Sequence, residues 1–204
     1  MVYAPIERIQ NMTEQALQKL LEGNRRFVEN KPSLDGSEKR RREVATGQHP
    51  FATILGCVDS RVPPELIFDQ GLGELFVIRT AGEVLDQAVL GSIEFGVEEL
   101  KIPLLMVLGH KNCGAIKATR ETLHSHTKAE ADIQHLVKEL TLAVEIGDEE
   151  QENPIDRAVR AQVCHVVERL RQAPILKTAV EHGELKIVGT YYDLDSGLVE
   201  MVIE

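Results

Sequence analysis

The chain has 204 residues, of which 43% are apolar and 27% are charged, enough for one globular domain with a sizeable core. Its 33 acidic and 23 basic residues give a net charge of −10 at pH 7, which argues against a nucleic-acid or anionic-membrane partner. The three cysteines are too few for a disulfide framework, and we recognise neither a secretory signal nor a membrane-spanning run, so we expect a cytoplasmic protein.

The first part of the chain predicts two helices. Residues 12–29 carry leucines and a phenylalanine at helical spacing, with Thr13 as a candidate N-cap and Asn30-Lys31-Pro32 as the stop. The apolar face of this helix needs a partner, which is either the core of the same chain or a neighbouring subunit. Residues 38–43 predict a short helix whose basic side chains face solvent.

Short apolar runs closed by turn residues predict the first three strands. They cover residues 51–56, 74–79 and 102–108. Sequence typical of helices separates them, at 63–68 and at 86–100. This alternation favours parallel strands joined by right-handed crossovers.

The second half of the chain continues the pattern. Residues 115–145 and 155–172 predict helices, and residues 184–192 predict a further strand. After a turn, residues 198–203 alternate apolar and polar side chains, as an antiparallel edge strand does.

These elements predict an α/β fold with a mainly parallel central sheet, flanking helices, a C-terminal antiparallel edge strand and an N-terminal helical arm. We expect a single domain over residues 1–204. Within it, residues 1–47 form the arm and residues 48–204 form the α/β core.

Two polar motifs follow predicted strands. Cys57-Val58-Asp59-Ser60-Arg61 follows strand 51–56, and His110-Lys111-Asn112-Cys113 follows strand 102–108. Because ligands bind at the carboxyl edge of open α/β sheets, we expect both motifs to meet there. Two thiols, an imidazole and a carboxylate are ligands that zinc prefers.

Asp59 and Arg61 allow two different states of the fourth coordination position. A zinc ion held by Cys57, His110 and Cys113 keeps a fourth position, which Asp59 could fill and so close the site. The planar guanidinium of Arg61 suits a carboxylate bidentately and could instead hold Asp59 away from the metal. Water could then enter, and Asp59 would accept a hydrogen bond from it.

Three other readings of the motifs are weaker. Structural zinc sites usually draw closely spaced cysteine pairs from both halves of the site and have no use for an arginine beside the fourth ligand. A cysteine-based phosphatase needs a longer loop between its cysteine and arginine than the one from Cys57 to Arg61. A redox couple of Cys57 and Cys113 leaves His110 and Asp59 unexplained.

The pattern C-x-D-S-R at 57–61 with H-x-x-C-G at 110–114 resembles the β-class carbonic anhydrases, especially the bacterial ones. The likeness extends from about residue 48 to residue 192. It implies one zinc ion per subunit, bound by Cys57, His110 and Cys113, with Asp59 either as fourth ligand or paired with Arg61. It also implies that Gln48, nine residues before Cys57, hydrogen-bonds substrate across a dimer interface.

Some members of that family carry a second bicarbonate site built from a tryptophan, an arginine and a tyrosine. Arg79 and Tyr192 match two of these positions, but Ile54 stands at the third and the chain has no tryptophan. We therefore expect this regulatory site to be absent, and Arg79 to be a structural ion-pair or interface residue. Cys164, in a predicted amphipathic helix, reads as a buried or half-buried small apolar residue.

The resemblance implies reversible hydration of carbon dioxide to bicarbonate and a proton by attack of zinc-bound hydroxide, in a homodimer or homotetramer. Two alternatives stay open at this point. One is hydrolysis of carbonyl sulfide or carbon disulfide on the same scaffold, since those substrates are also small and linear. The other is an inactive, zinc-stabilised scaffold protein, against which the intact Asp59, Arg61 and Gln48 argue.

Overall fold

The structure is a computed structural model that describes residues 6–149 and 152–204. Five strands form one sheet in the order β2-β1-β3-β4-β5, and the strands β1 to β4 are all parallel. The last strand, β5, pairs antiparallel with β4. The predicted fold class is thereby confirmed. The strands are β1 (Ala52–Cys57), β2 (Leu75–Thr80), β3 (Leu104–His110), β4 (Lys186–Tyr192) and β5 (Val199–Ile203).

Helices cover both faces of the sheet. Among the described residues, none of them is long and apolar enough to cross a lipid bilayer. They are α1 (Ile6–Val28), α2 (Glu38–Val44), α3 (Pro64–Ile67), α4 (Gln87–Glu98), α5 (Gly114–His124), α6 (Ile133–Asp148), α7 (Pro154–Gln172) and α8 (Pro174–Glu181).

The central strands β1 and β3 are buried along their whole length, which explains their continuous apolar sequence. Successive side chains point to opposite faces of the sheet. Leu55 and Val107 pack in the layer that contains α4, α7 and α8, whereas Ile54 and Met106 pack with α1 and α3. Two apolar layers therefore fix the sheet, and the carboxyl ends of β1 and β3 lie side by side.

The N-terminal helix packs on the core of its own chain. Ala16, Leu17 and Leu20 are buried against apolar side chains of β1, β3 and α3. The helix begins at Ile6, so the predicted N-cap at Thr13 is wrong, and Thr13 lies buried within it. Its end agrees with the prediction, since the helix stops at Val28 and Asn30 takes a left-handed conformation (φ 54°).

Two other predictions about helices need correction. The helix predicted over residues 115–145 is two helices, because His126 and Ala131 adopt positive φ angles that interrupt helical geometry. Helix α8 was not predicted at all. It has eight residues, of which only Leu176 and Ala179 are buried, so its apolar pattern is too short to recognise.

Candidate metal centre

Three side chains converge at the carboxyl edge of the sheet. Cys57 is the last residue of β1, His110 is the last residue of β3, and Cys113 precedes the first turn of α5. Their ligand atoms all lie within 4.8 Å of one another, and all three residues are buried. The sequence predicted this meeting, because parallel neighbouring strands end at the same edge.

The imidazole of His110 is held in one tautomer. Its Nδ1 lies 2.9 Å from the backbone carbonyl of Lys111, and since a carbonyl can only accept, Nδ1 carries the proton and donates it. The lone pair is then on Nε2, which is buried and has no hydrogen-bond partner among the described residues. Buried polar atoms without a partner are rare in native proteins, and a metal ion would satisfy this one.

The distance between the two sulfurs fits a tetrahedral ion. Zinc binds thiolates at about 2.3 Å, so two sulfurs on a tetrahedral zinc lie about 3.8 Å apart. The Sγ atoms of Cys57 and Cys113 are separated by 4.0 Å. Two thiolates and a neutral imidazole also balance the charge of a divalent cation. The residues present therefore fit zinc in donor type, spacing and charge.

The thiols of Cys57 and Cys113 have their pKa values shifted in opposite directions. A hydrogen bond with Cys113 lowers the pKa of the Cys57 thiol to about 4, and the backbone N–H of Gly82, 3.5 Å from that sulfur, contributes in the same direction. The pKa of Cys113 is raised by the same hydrogen bond and by burial. Because thiols bind a metal as thiolates, metal binding by this pair would release protons and would weaken as pH falls.

Asp59 is paired with Arg61 beside this cluster. The guanidinium donates from Nε to Oδ1 at 2.9 Å and from Nη2 to Oδ2 at 2.7 Å, and the backbone N–H of Arg61 adds a third hydrogen bond at 3.0 Å. These bonds hold the pKa of Asp59 well below its usual range. Oδ2 lies 4.0 Å from Nε2 of His110, so the carboxylate borders the site without entering it.

Gln48 is not brought to the cluster of its own chain. It is exposed and lies in the loop before β1, whereas Cys57 ends that strand. The extended backbone of β1 alone, from Ala52 to Cys57, spans about 16 Å at about 3.3 Å per residue. A role for Gln48 at a metal centre therefore requires the centre of another copy.

The side chain of Arg79 contacts the backbone next to the cluster. The Arg79 side chain donates from Nε to the carbonyl of Cys57 and from Nη2 to the carbonyl of Asp59, both at 2.7 Å. It makes no ion pair with any described residue, so the expected ion pair is replaced by these two backbone contacts. Ile54 and Tyr192 are buried in the same apolar cluster.

One polar residue near the site was missed by the sequence reasoning. Glu83 is buried in the 3₁₀ turn Ala81–Glu83, next to Gly82, and its Oε1 has no partner in the described part of the chain. Burial, and then the charge of Cys57, raise the pKa of this carboxyl well above its ordinary value. The signal that could have revealed Glu83 is its position as the single charged residue in the apolar stretch from Ala81 to Leu85.

Comparison with known proteins agrees with this geometry. The family model described as carbonic anhydrase matches residues 52–199. A carbonic anhydrase of Mycolicibacterium smegmatis is 42% identical over 188 residues, which cover 89% of each chain. Carbonic anhydrase 2 of Mycobacterium tuberculosis is 41% identical over 180 residues, covering 87% of each.

A solved structure shares the fold. The β-carbonic anhydrase of Coccomyxa, determined in complex with acetazolamide, superposes with a TM-score of 0.71. It is 27% identical and covers 92% of this chain and 86% of its own.

Proposed function

Because the chain belongs to the β-class carbonic anhydrase family, we propose that its active centre is a zinc ion held by Cys57, His110 and Cys113, with Asp59 and Arg61 as catalytic residues. The reaction of the family is reversible hydration of carbon dioxide to bicarbonate and a proton. The hydrolase and inactive-scaffold alternatives are not favoured by the relatives, which carry the name carbonic anhydrase.

The observation that carries this assignment is the unpartnered Nε2 of His110, which lies in a buried cluster with two sulfurs. When bound, zinc would act as a Lewis acid that lowers the pKa of a coordinated water toward about 7. The protein supplies the rest of the site. Apolar side chains of Val84, Ile116 and Leu140 pack around the ligands and exclude bulk water.

Asp59 and Arg61 have the geometry for orienting a reacting water. Three hydrogen bonds from Arg61 fix the carboxylate next to the site, with its charge retained. Asp59 can then accept a hydrogen bond from water in the fourth position and so direct the attacking lone pair at carbon dioxide. Were Asp59 released, it could bind the metal itself and close the site.

Gln48 is assigned to substrate binding in the site of a second copy. The outer edge of β2 pairs with no described strand, and all six of its residues are only half-buried. Pairing of two such edges about a two-fold axis runs the strands antiparallel. The start of β1 in one copy then approaches the end of β1 in the other, which carries Gln48 toward the partner's cluster.

We propose that this assembly is a homodimer or a dimer of dimers, located in the cytoplasm. A reducing compartment suits three cysteines that form no disulfide. It also suits a centre that needs two free thiols.

Metal content and carbon dioxide hydration, measured together, test the proposal. We expect one zinc per chain in the wild-type protein, and its loss in Cys57→Ser and His110→Ala with at least a thousand-fold lower turnover in stopped-flow assays. Cys164→Ser is the matched control, because Cys164 is half-buried on α7, outside the ligand cluster. It should keep both zinc and activity.

A wild-type protein that takes up no zinc under reducing conditions would refute the metal centre. Zinc uptake without carbon dioxide hydration would refute the catalytic assignment. Parallel assays with carbonyl sulfide and carbon disulfide would reveal whether either of these is the preferred substrate.

A further inference from the structure

Arg79 contacts the end of β1 and the loop that follows it, and the proposed mechanism assigns no function to this contact. Arg79 lies on β2 opposite Gly56, one step from Cys57. Its guanidinium is half-buried and donates to two backbone carbonyls at 2.7 Å, those of Cys57 and Asp59. These two residues are the first metal ligand and the residue whose carboxylate can open or close the site.

Hydrogen bonds hold this short segment on both sides. The backbone N–H of Val58 donates to the carbonyl of Thr80 at 3.2 Å, and the N–H of Val62 donates to the carbonyl of Asp59 at 3.0 Å. Arg79 adds two more bonds, one before and one after the Val58–Asp59 peptide. Bonds from a charged donor are roughly twice as strong as neutral ones, so Arg79 makes the strongest contribution.

Direct binding of Asp59 to a metal would require its carboxylate to move. An oxygen and a nitrogen bound to the same tetrahedral zinc at about 2.1 Å each lie about 3.4 Å apart, whereas Oδ2 lies 4.0 Å from Nε2 of His110 and accepts its bond from Arg61. Reaching the ion means that Oδ2 gives up its bond to Nη2 of Arg61 and that the carboxylate moves toward His110, which any shift of the Asp59 backbone would assist. The two carbonyls held by Arg79 oppose that shift.

We propose that Arg79 is a positioning residue that keeps Asp59 on Arg61 and away from the fourth coordination position. This inference rests on the proposed metal centre at Cys57, His110 and Cys113. It differs from the ion-pair role expected from the sequence, because the charge of Arg79 is used on backbone carbonyls. Its planar fork matters, since two separate nitrogens, Nε and Nη2, each bond one carbonyl in a fixed geometry.

Cobalt-substituted protein tests the inference without relying on turnover. Thiocyanate binds to an open coordination position and changes the visible spectrum of cobalt, so its dissociation constant reports whether Asp59 closes the site. We expect Arg79→Gln to retain one cobalt per chain but to bind thiocyanate at least ten-fold more weakly than the wild type. Adding Asp59→Asn to that variant should restore binding, because an amide is a poorer ligand than a carboxylate.

Arg171→Gln is the matched control. Arg171 also donates to a backbone carbonyl, that of Ile187 at 2.8 Å, but outside the metal cluster. It should bind thiocyanate as the wild type does. If Arg79→Gln fails to fold, Arg79→Lys keeps the charge, loses the fork and should weaken binding in the same direction.

Two results would overturn the proposed role of Arg79 without affecting the proposed metal centre. One is an Arg79 variant that binds thiocyanate like the wild type, and the other is a double variant no better than Arg79→Gln, which would indicate general damage to the site. Failure of the wild-type protein to bind cobalt would instead refute the metal centre, and this inference with it.

Discussion

The ion pair of Asp59 and Arg61 illustrates what a single residue decides in this molecule. Arg61 is about half exposed, so its attraction to Asp59 contributes little to global stability. Its value is local, because two parallel hydrogen bonds fix the direction of a carboxylate next to the ligand cluster. Losing it should affect chemistry far more than folding.

We predict that Arg61→Ala keeps zinc and a melting temperature within a few degrees of the wild type, but loses at least a hundred-fold in carbon dioxide hydration. The physical reason is that Asp59, freed from Arg61, binds the fourth position. Metal analysis and stopped-flow kinetics on the same sample check this. Retained turnover with zinc in place would contradict it.

Glu83 is the second such residue, because its burial should affect how the stability of the protein depends on pH. A carboxyl whose pKa is higher in the folded than in the unfolded state binds protons more tightly when folded. Its contribution to stability is therefore complete below the unfolded pKa of about 4.3 and is lost as pH rises toward the folded pKa.

We predict that Glu83→Gln becomes increasingly more stable than the wild type as pH rises from 5 to 8. The glutamine amide stays neutral at every pH, so the substitution removes the growing cost of ionising a buried carboxyl, and the difference in the free energy of unfolding should increase over this range. Urea unfolding at saturating zinc measures it. Glu98→Gln, exposed on α4, is the control and should show no such rise, and a pH-independent difference for Glu83→Gln would refute the prediction.

At this scale the sequence was sufficient to predict that the three proposed ligands meet, but not which residues support them. Cys57, His110 and Cys113 could be predicted because each follows or ends a recognisable strand. The Lys111 carbonyl that orients His110, the Arg79 contacts and buried Glu83 could not, because they depend on side-chain directions that no periodic pattern encodes.

At the scale of elements, Asn24 joins three parts of the fold. It is buried in α1, and its amide donates to the carbonyls of Ile67 at 3.2 Å and Gly197 at 2.8 Å. Its Oδ1 accepts from the backbone N–H of Val199 at 3.0 Å. One side chain thus connects α1 to α3 and to the turn between β4 and β5.

We predict that Asn24→Ala lowers the free energy of unfolding by about 2–3 kcal/mol, because it leaves buried backbone groups without partners. Chemical denaturation checks the value. Asn11→Ala, on the exposed side of the same helix, should change stability by less than about 0.5 kcal/mol. Equal effects of the two substitutions would show that Asn24 has no special role.

Element types were predictable where apolar runs were long, and element ends were not. β3 was expected at 102–108 but runs to His110, so the ligand lies in the strand and not in the loop after it. The break between α5 and α6 arises from left-handed residues that carry side chains, which composition does not reveal. The antiparallel edge strand was recognised from its alternation and is confirmed.

For the whole molecule, an exposed apolar side chain lies on α4, a helix that contacts the edge strand β2. Phe95 on α4 is 49% exposed, and its neighbour Gly96 faces Phe76 of β2, where an added Cβ would lie 3.5 Å from the ring. Exposed aromatic surface on a helix over a strand edge that pairs with no described strand is typical of an interface. We infer that this region contacts the second copy that supplies Gln48.

We predict that Phe95→Glu shifts the protein toward a smaller species in sedimentation velocity. Because the site would lose the partner's Gln48, turnover should also fall at least ten-fold. Ile133→Glu, which changes another exposed apolar residue on α6, is the control and should leave both unchanged. An unaltered sedimentation coefficient for Phe95→Glu would contradict the proposed interface. The experiment does not bear on the predicted single domain over residues 1–204.

The close approach of the two cysteine sulfurs also has a thermodynamic consequence for the intact chain. Cys57 and Cys113 are 56 positions apart, so an ion shared between them joins distant segments only when the chain is folded. A ligand of the native state alone raises its stability by mass action. The unfolding temperature should therefore follow the free zinc concentration of the buffer, and calorimetry of a partly chelated sample should resolve two populations.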